Sequence, residues 1–127
     1  RLTVSILGLP EADVEFPNIA ERFSFYTDWL DRPEVLPLHF EDFIHNRRVT
    51  LGKVFDHVAK RIPNLSIERE KAIDILEESI NPKNSPTFRS GKTGEWKKYF
   101  TDEHKRIFKD VAGDLLIKLG YEEDGDW

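Results

Sequence analysis

Between Lys83 and Lys98 the chain gathers five cations, Lys83, Arg89, Lys92, Lys97 and Lys98, against the single acid Glu95. That is a local charge of +4 in a chain of net −5, so the remainder carries −9. Positive charge is costly to collect unless something negative uses it, and the segment reads as a seat for an anion, foremost a phosphorylated ligand. Gly91 and Gly94 stand three residues apart within it. Glycine reaches backbone conformations closed to other residues, which lets consecutive N–H groups turn toward one anion. Arg89 adds a planar fork that meets two phosphate oxygens at once, which lysine does not. The glycine spacing is not specific by itself, because a surface loop with incidental cations shows it too. Nor is it a P-loop, since the preceding strand and the Gly-Lys-Ser/Thr ending are missing.

The other chemistry-bearing side chains favour structural roles. His45, His57 and His104 sit among charged residues and read as solvent-facing, while His39 alternates within an apolar run and reads as half-buried. Asp56 and His57 have no third ligand at metal spacing, so no metal site is expected. Glu41 and Asp42 are adjacent at the end of an expected strand, where neighbours point apart, and read as caps of the following turn. Trp29 and Trp96 read as core anchors, and the acidic run Glu122 to Asp126 as a solvated end.

These residues need elements to position them. Leu2 to Leu7 is a short buried element, a strand or the start of a helix, ended by Gly8 and Pro10. Pro17-Asn18 opens a helix through Leu30, with Ala20, Phe23, Tyr26, Thr27 and Leu30 at helical spacing. Val35 to Phe40 predicts a short apolar strand, although Pro37 cannot donate to a ladder. A second helix spans Val49 to Ile62 and closes at Pro63. Ser66 caps a third, with Ala72, Ile73, Leu76 and Ile80 as its stripe. The last runs from an N-cap at Thr101 to Gly120, with Phe108, Val111, Ala112, Leu115, Leu116 and Leu119 along one side. Asn81 to Gly94 is the one long irregular connection, and such loops are disproportionately functional.

Read as a whole, Arg89-Ser90-Gly91-Lys92-Thr93-Gly94-Glu95-Trp96-Lys97-Lys98-Tyr99-Phe100-Thr101 resembles the signature Arg-Lys-Gly-x-x-Gly-Asp-Trp-Lys-Asn-x-Phe-Thr of sulfotransferases that use 3′-phosphoadenosine 5′-phosphosulfate. Arg89, Gly91, Gly94, Trp96, Lys97, Phe100 and Thr101 agree in type and register. Upstream and in the family's order, Tyr26-Thr27-Asp28-Trp29-Leu30 resembles its acceptor-side helix. Val35 to Phe43 resembles its strand ending in Tyr-Glu-Asp-Leu, and Thr3-Val4-Ser5 the segment whose serine helps hold the 3′-phosphate. The resemblance implies that the 3′-phosphate rests on Arg89, on the backbone at Ser90 and Gly91, and on the Ser5 hydroxyl, with Ser79 near the adenine. Ser90 stands where the signature has a lysine, and Asp102 and Arg106 replace the Val and Glu of a dimerisation pattern found in some members.

The family's glycine/serine-rich loop for the 5′-phosphosulfate, its lysine, its catalytic histidine and its first 3′-phosphate arginine all precede the segment matched by Ser5. No catalytic residue is therefore assigned here, and the chain reads as the C-terminal portion of such an enzyme.

The expected fold is α/β, mostly helical as present, one domain over 1–127 belonging to a P-loop-like fold with a parallel sheet flanked by helices. Its expected function is sulfuryl transfer from 3′-phosphoadenosine 5′-phosphosulfate to a hydroxyl or amine on a small-molecule or carrier-bound acceptor. The rival is a non-enzymatic helical interaction module, or a degenerate remnant, whose basic loop meets an acidic partner. Overall acidity argues against general nucleic-acid binding. No apolar run approaches the ~20 residues of a membrane helix. With no cysteine a reducing compartment is permitted, and a cytoplasmic location is expected.

Overall fold

Asn18 begins the first long helix for a reason visible in its own side chain. Its Oδ1 accepts from Glu21 N–H at 2.9 Å, and Glu21 Oε2 accepts from Asn18 N–H at 2.8 Å, a reciprocal box that satisfies two otherwise orphaned donors. The computed structural model describes residues 2–8, 16–86 and 90–127. Among them are seven α-helices: α1 (Leu2–Leu7), α2 (Ile19–Thr27), α3 (Phe40–His45), α4 (Arg47–Ala59), α5 (Arg69–Ser79), α6 (Asp102–Ala112) and α7 (Leu115–Lys118). Short 3-10 turns cover Pro82–Asn84 and Glu95–Lys98.

The expected α/β class with a parallel sheet is corrected: the described residues contain helices and no strand. Residues 35–39 are irregular, and Phe40 already belongs to α3. Pro37 offers no N–H to a ladder, and no second extended segment among the described residues supplies a partner. The stretch is fixed instead at its entry, where the Arg61 guanidinium donates to Pro33 O at 2.9 Å and His57 Nε2 lies 3.0 Å from Glu34 O. Glu41 and Asp42 consequently sit in the first turn of α3, where acids complement the helix dipole. Leu2–Leu7 is helical as well.

Other boundaries shift. The first long helix stops at Thr27, and Trp29, 56% exposed, is not a core anchor. The N-cap of α5 is Glu68 rather than Ser66 and makes no side-chain cap bond. The expected single C-terminal helix is two. Gly113 and Asp114, both poor interior helix residues, separate α6 from α7. Its end at Gly120 holds: Gly120 has φ +74, while Gly120 N–H donates to Ile117 O at 3.0 Å and Tyr121 N–H to Leu116 O at 2.8 Å. This paired closure requires a left-handed residue.

The chain divides into two compact units, Arg1–Arg32 with Glu95–Trp127, and Pro33–Gly94. In the first, α1, α2 and α6 pack around buried Ile6, Phe108, Ala112 and Leu115, with Ile19, Ala20, Phe23, Phe100 and Val111 against them. Trp127 folds back edge-on to Phe108 at 5.6 Å between ring centroids, held by Lys109, whose Nζ donates to Gly125 O at 2.7 Å. The acidic tail read as a solvated end is thus anchored at both Gly125 and Trp127. In the second unit α4 packs on α5 over Leu51, Ala72 and Ile73, with Thr50 buried and donating to Asn46 O at 3.1 Å.

Candidate functional site

The basic segment is carried differently at its two ends. At the Thr101 end it is tied to the first unit's core by a run of rings. Trp96 meets Phe100 edge-on at 5.7 Å, and Phe100 meets Phe108 at 6.4 Å. Thr101 starts α6 as expected, with His104 N–H donating to its Oγ1 at 3.3 Å and Thr101 N–H donating to His104 Nδ1 at 3.1 Å. His104, read from sequence as solvent-facing, takes the place a Glu or Gln usually holds in such a box. Lys98 pairs with Glu95 at 3.5 Å, and Lys97 Nζ lies 5.7 Å from the Trp96 ring centre.

At the other end lies the glycine turn. Gly91 has φ +61 and Gly94 φ +71. A side chain added at Gly94 would meet nothing within 4 Å, so glycine is required there by backbone conformation and not by space. Ser90 Oγ accepts from Lys92 N–H at 3.4 Å, and Thr93 Oγ1 lies 3.2 Å from His45 Nε2 at the end of α3. The His45 contact was not legible in the sequence, since 48 residues separate the partners.

Ser90 and Gly91 thus share one turn, and Arg89 lies outside the described residues. Ser79 occupies the last turn of α5, where its Oγ donates to Ile75 O at 2.7 Å. Ser5 belongs to α1 in the other unit. Its carbonyl and its Oγ both accept from Arg22 Nη2, at 2.6 and 3.2 Å, while Arg22 Nε is buried without a partner. Sequence reading passed over Arg22. The signal was its register: Arg22 stands three residues after Ile19 and beside Phe23, both of which pack against the core.

Electrostatics in the second unit are otherwise internal. The Arg48 guanidinium donates to Asp74 at 2.7 Å, Glu77 at 2.9 Å and Glu70 at 3.2 Å, which raises its pKa above the ordinary arginine value. Arg69 donates to both carboxylate oxygens of Asp56, at 2.9 and 3.1 Å, holding that carboxyl below its usual range. No cluster of three or more potential metal ligands occurs among the described residues. No described helix is long and apolar enough to cross a membrane.

Comparison with curated proteins and with solved structures gave no match. The family model of the sulfotransferase domain, however, matches residues 14–120, most of the chain and all of the glycine turn. The chain belongs to the sulfotransferase domain family, whose general chemistry is sulfuryl transfer.

Proposed function

We propose that this chain holds the 3′-phosphate end of 3′-phosphoadenosine 5′-phosphosulfate in a sulfotransferase acting on a hydroxyl or amine acceptor. The observation that carries the reading is the turn with Gly91 and Gly94 at positive φ inside the most cationic segment of an acidic chain. Backbone amides of that turn suit an oxyanion, and the family resemblance adds Arg89 and the Ser5 hydroxyl as further donors. Ser79 is proposed near the adenine, with the domain running through 1–127 and acting in the cytoplasm on a small-molecule or carrier-bound acceptor. When bound, the nucleotide supplies the sulfuryl group and leaves as 3′,5′-ADP.

The role of this chain is binding and orientation. Fixing the 3′-phosphate restrains the nucleotide, so that its far end meets the acceptor in one geometry. Calorimetric titration of the full-length protein with 3′,5′-ADP tests this. Arg89→Ala is expected to weaken binding by about 1–3 kcal/mol, the scale of a charge-assisted hydrogen bond. An unchanged constant would sink the assignment.

A further inference from the structure

We propose that His45 is a positioning residue for the glycine turn, holding it through Thr93 in the shape that receives the ligand; the proposal rests on the nucleotide reading above. Both side chains belong to the unit Pro33–Gly94. His45 Nε2 lies 3.2 Å from Thr93 Oγ1, and a hydroxyl donates or accepts as the imidazole tautomer requires, so the bond forms with either.

The freedom of the turn makes this bond matter. Gly91 and Gly94, at φ +61 and +71, flank Lys92 and Thr93. Glycine has more backbone freedom to lose than any other residue, so a segment set between two of them is costly to order. Packing does not fix its far end, since a Cβ at Gly94 would meet nothing within 4 Å. Inside the turn, Lys92 N–H donates to Ser90 Oγ at 3.4 Å, a long bond. Among the described residues, no hydrogen bond except that of Thr93 with His45 ties residues 91–94 to a helix.

The other end of the bond is restrained. His45 stands in the last turn of α3, which packs on α4. The junction is closed by Asn46 N–H donating to Asp42 O at 2.8 Å and Thr50 N–H donating to Asn46 O at 3.0 Å. His45 thus joins the loosest part of the site to two packed helices. His45 is exposed and Thr93 half-buried, so the bond adds little to global stability. Its effect is local: a turn ordered before the ligand arrives spares the complex that entropy cost.

The test is calorimetric titration of the full-length protein with 3′,5′-ADP and with adenosine 5′-phosphate, which lacks the 3′-phosphate, with circular dichroism as the check on folding. His45→Ala and Thr93→Val are each expected to weaken 3′,5′-ADP about two- to tenfold, the range of one neutral hydrogen bond, and to leave adenosine 5′-phosphate unchanged. The double variant should lose no more than either single one, because both remove the same bond. Thr93→Ser keeps the hydroxyl and should bind like the wild type. Should His45→Ala not fold, Thr93→Val beside Thr93→Ser carries the test. Additive losses, no loss in either single variant, equal losses for both nucleotides, or a Thr93→Ser as weak as Thr93→Val would overturn the role. A wild-type protein that ignores 3′,5′-ADP removes the nucleotide reading and His45 with it. Weakening in Arg89→Ala beside none in His45→Ala removes His45 alone.

Discussion

In the unit that carries α1, α2 and α6, helices meet through carbon: Phe108, 8% exposed, lies among Ile6, Ala112 and Leu115 and touches the rings of Phe100 and Trp127. In the unit that carries α4 and α5, the buried side chains, Leu51, Ala72 and Ile73 with Thr50, include no ring, and the helices are laced by Arg48 and Arg69 to four carboxylates. Aromatic pairs add about 0.5–1.5 kcal/mol each beyond the area they bury. Exposed ion pairs add little and are screened by salt. The contrast teaches which force each unit relies on, packing in the first and paired charge in the second. The second unit commits Arg48 and Arg69 to carboxylates across α4 and α5, whereas among the described residues no ion pair includes Arg22 of the first.

The contrast breaks most visibly at Phe108. Phe108→Ala is expected to lower unfolding stability by about 3–5 kcal/mol through lost burial and a cavity. In urea denaturation followed by tryptophan fluorescence that loss should be the same at low and high salt, and a salt-dependent loss would mean that the carbon core is not what holds this unit. A smaller effect belongs to Thr101→Ala, about 1 kcal/mol from the lost cap of α6. Faster amide exchange in the first turn of α6 is its signature, and unchanged exchange there would show the cap to be idle.

The smallest effects lie in the ionic unit. Arg48→Gln should loosen α4 from α5 at low salt and do little at high salt, read from thermal melts at two ionic strengths. Its pH partner is Asp56. Arg69 lowers the Asp56 pKa in the folded state, so the unfolded chain takes up its proton first as pH falls. The contribution is therefore present above the ordinary aspartate value of about 3.9 and lost as pH drops through the lower folded value. Asp56→Asn should flatten that part of the acid-unfolding curve, and a curve unchanged by the substitution would contradict the pairing.

Local chemistry was legible in the sequence, and partnership was not. Thr101 as an N-cap, Asn18 as a helix start, the Phe108 to Leu119 stripe and the closure at Gly120 depend on neighbours within a turn or two, and the structure bears them out. Val35 to Phe40 misled because an apolar run states only that a segment wants burial. Whether it becomes a strand depends on a partner ladder, and here Pro37 and the start of α3 prevail. At the site, the glycine turn was visible because φ constraints show in residue type. The Arg22 to Ser5 and His45 to Thr93 contacts were not, because they join residues 17 and 48 positions apart.

The central claim is that the Gly91 turn exists for a 3′-phosphate. Its most direct measurement is the ratio of 3′,5′-ADP to adenosine 5′-phosphate affinity in the full-length protein by calorimetry. A 3′-phosphate held by charge-assisted bonds should make 3′,5′-ADP the tighter ligand by at least about tenfold. Equal affinities, or no binding of 3′,5′-ADP, would contradict the account.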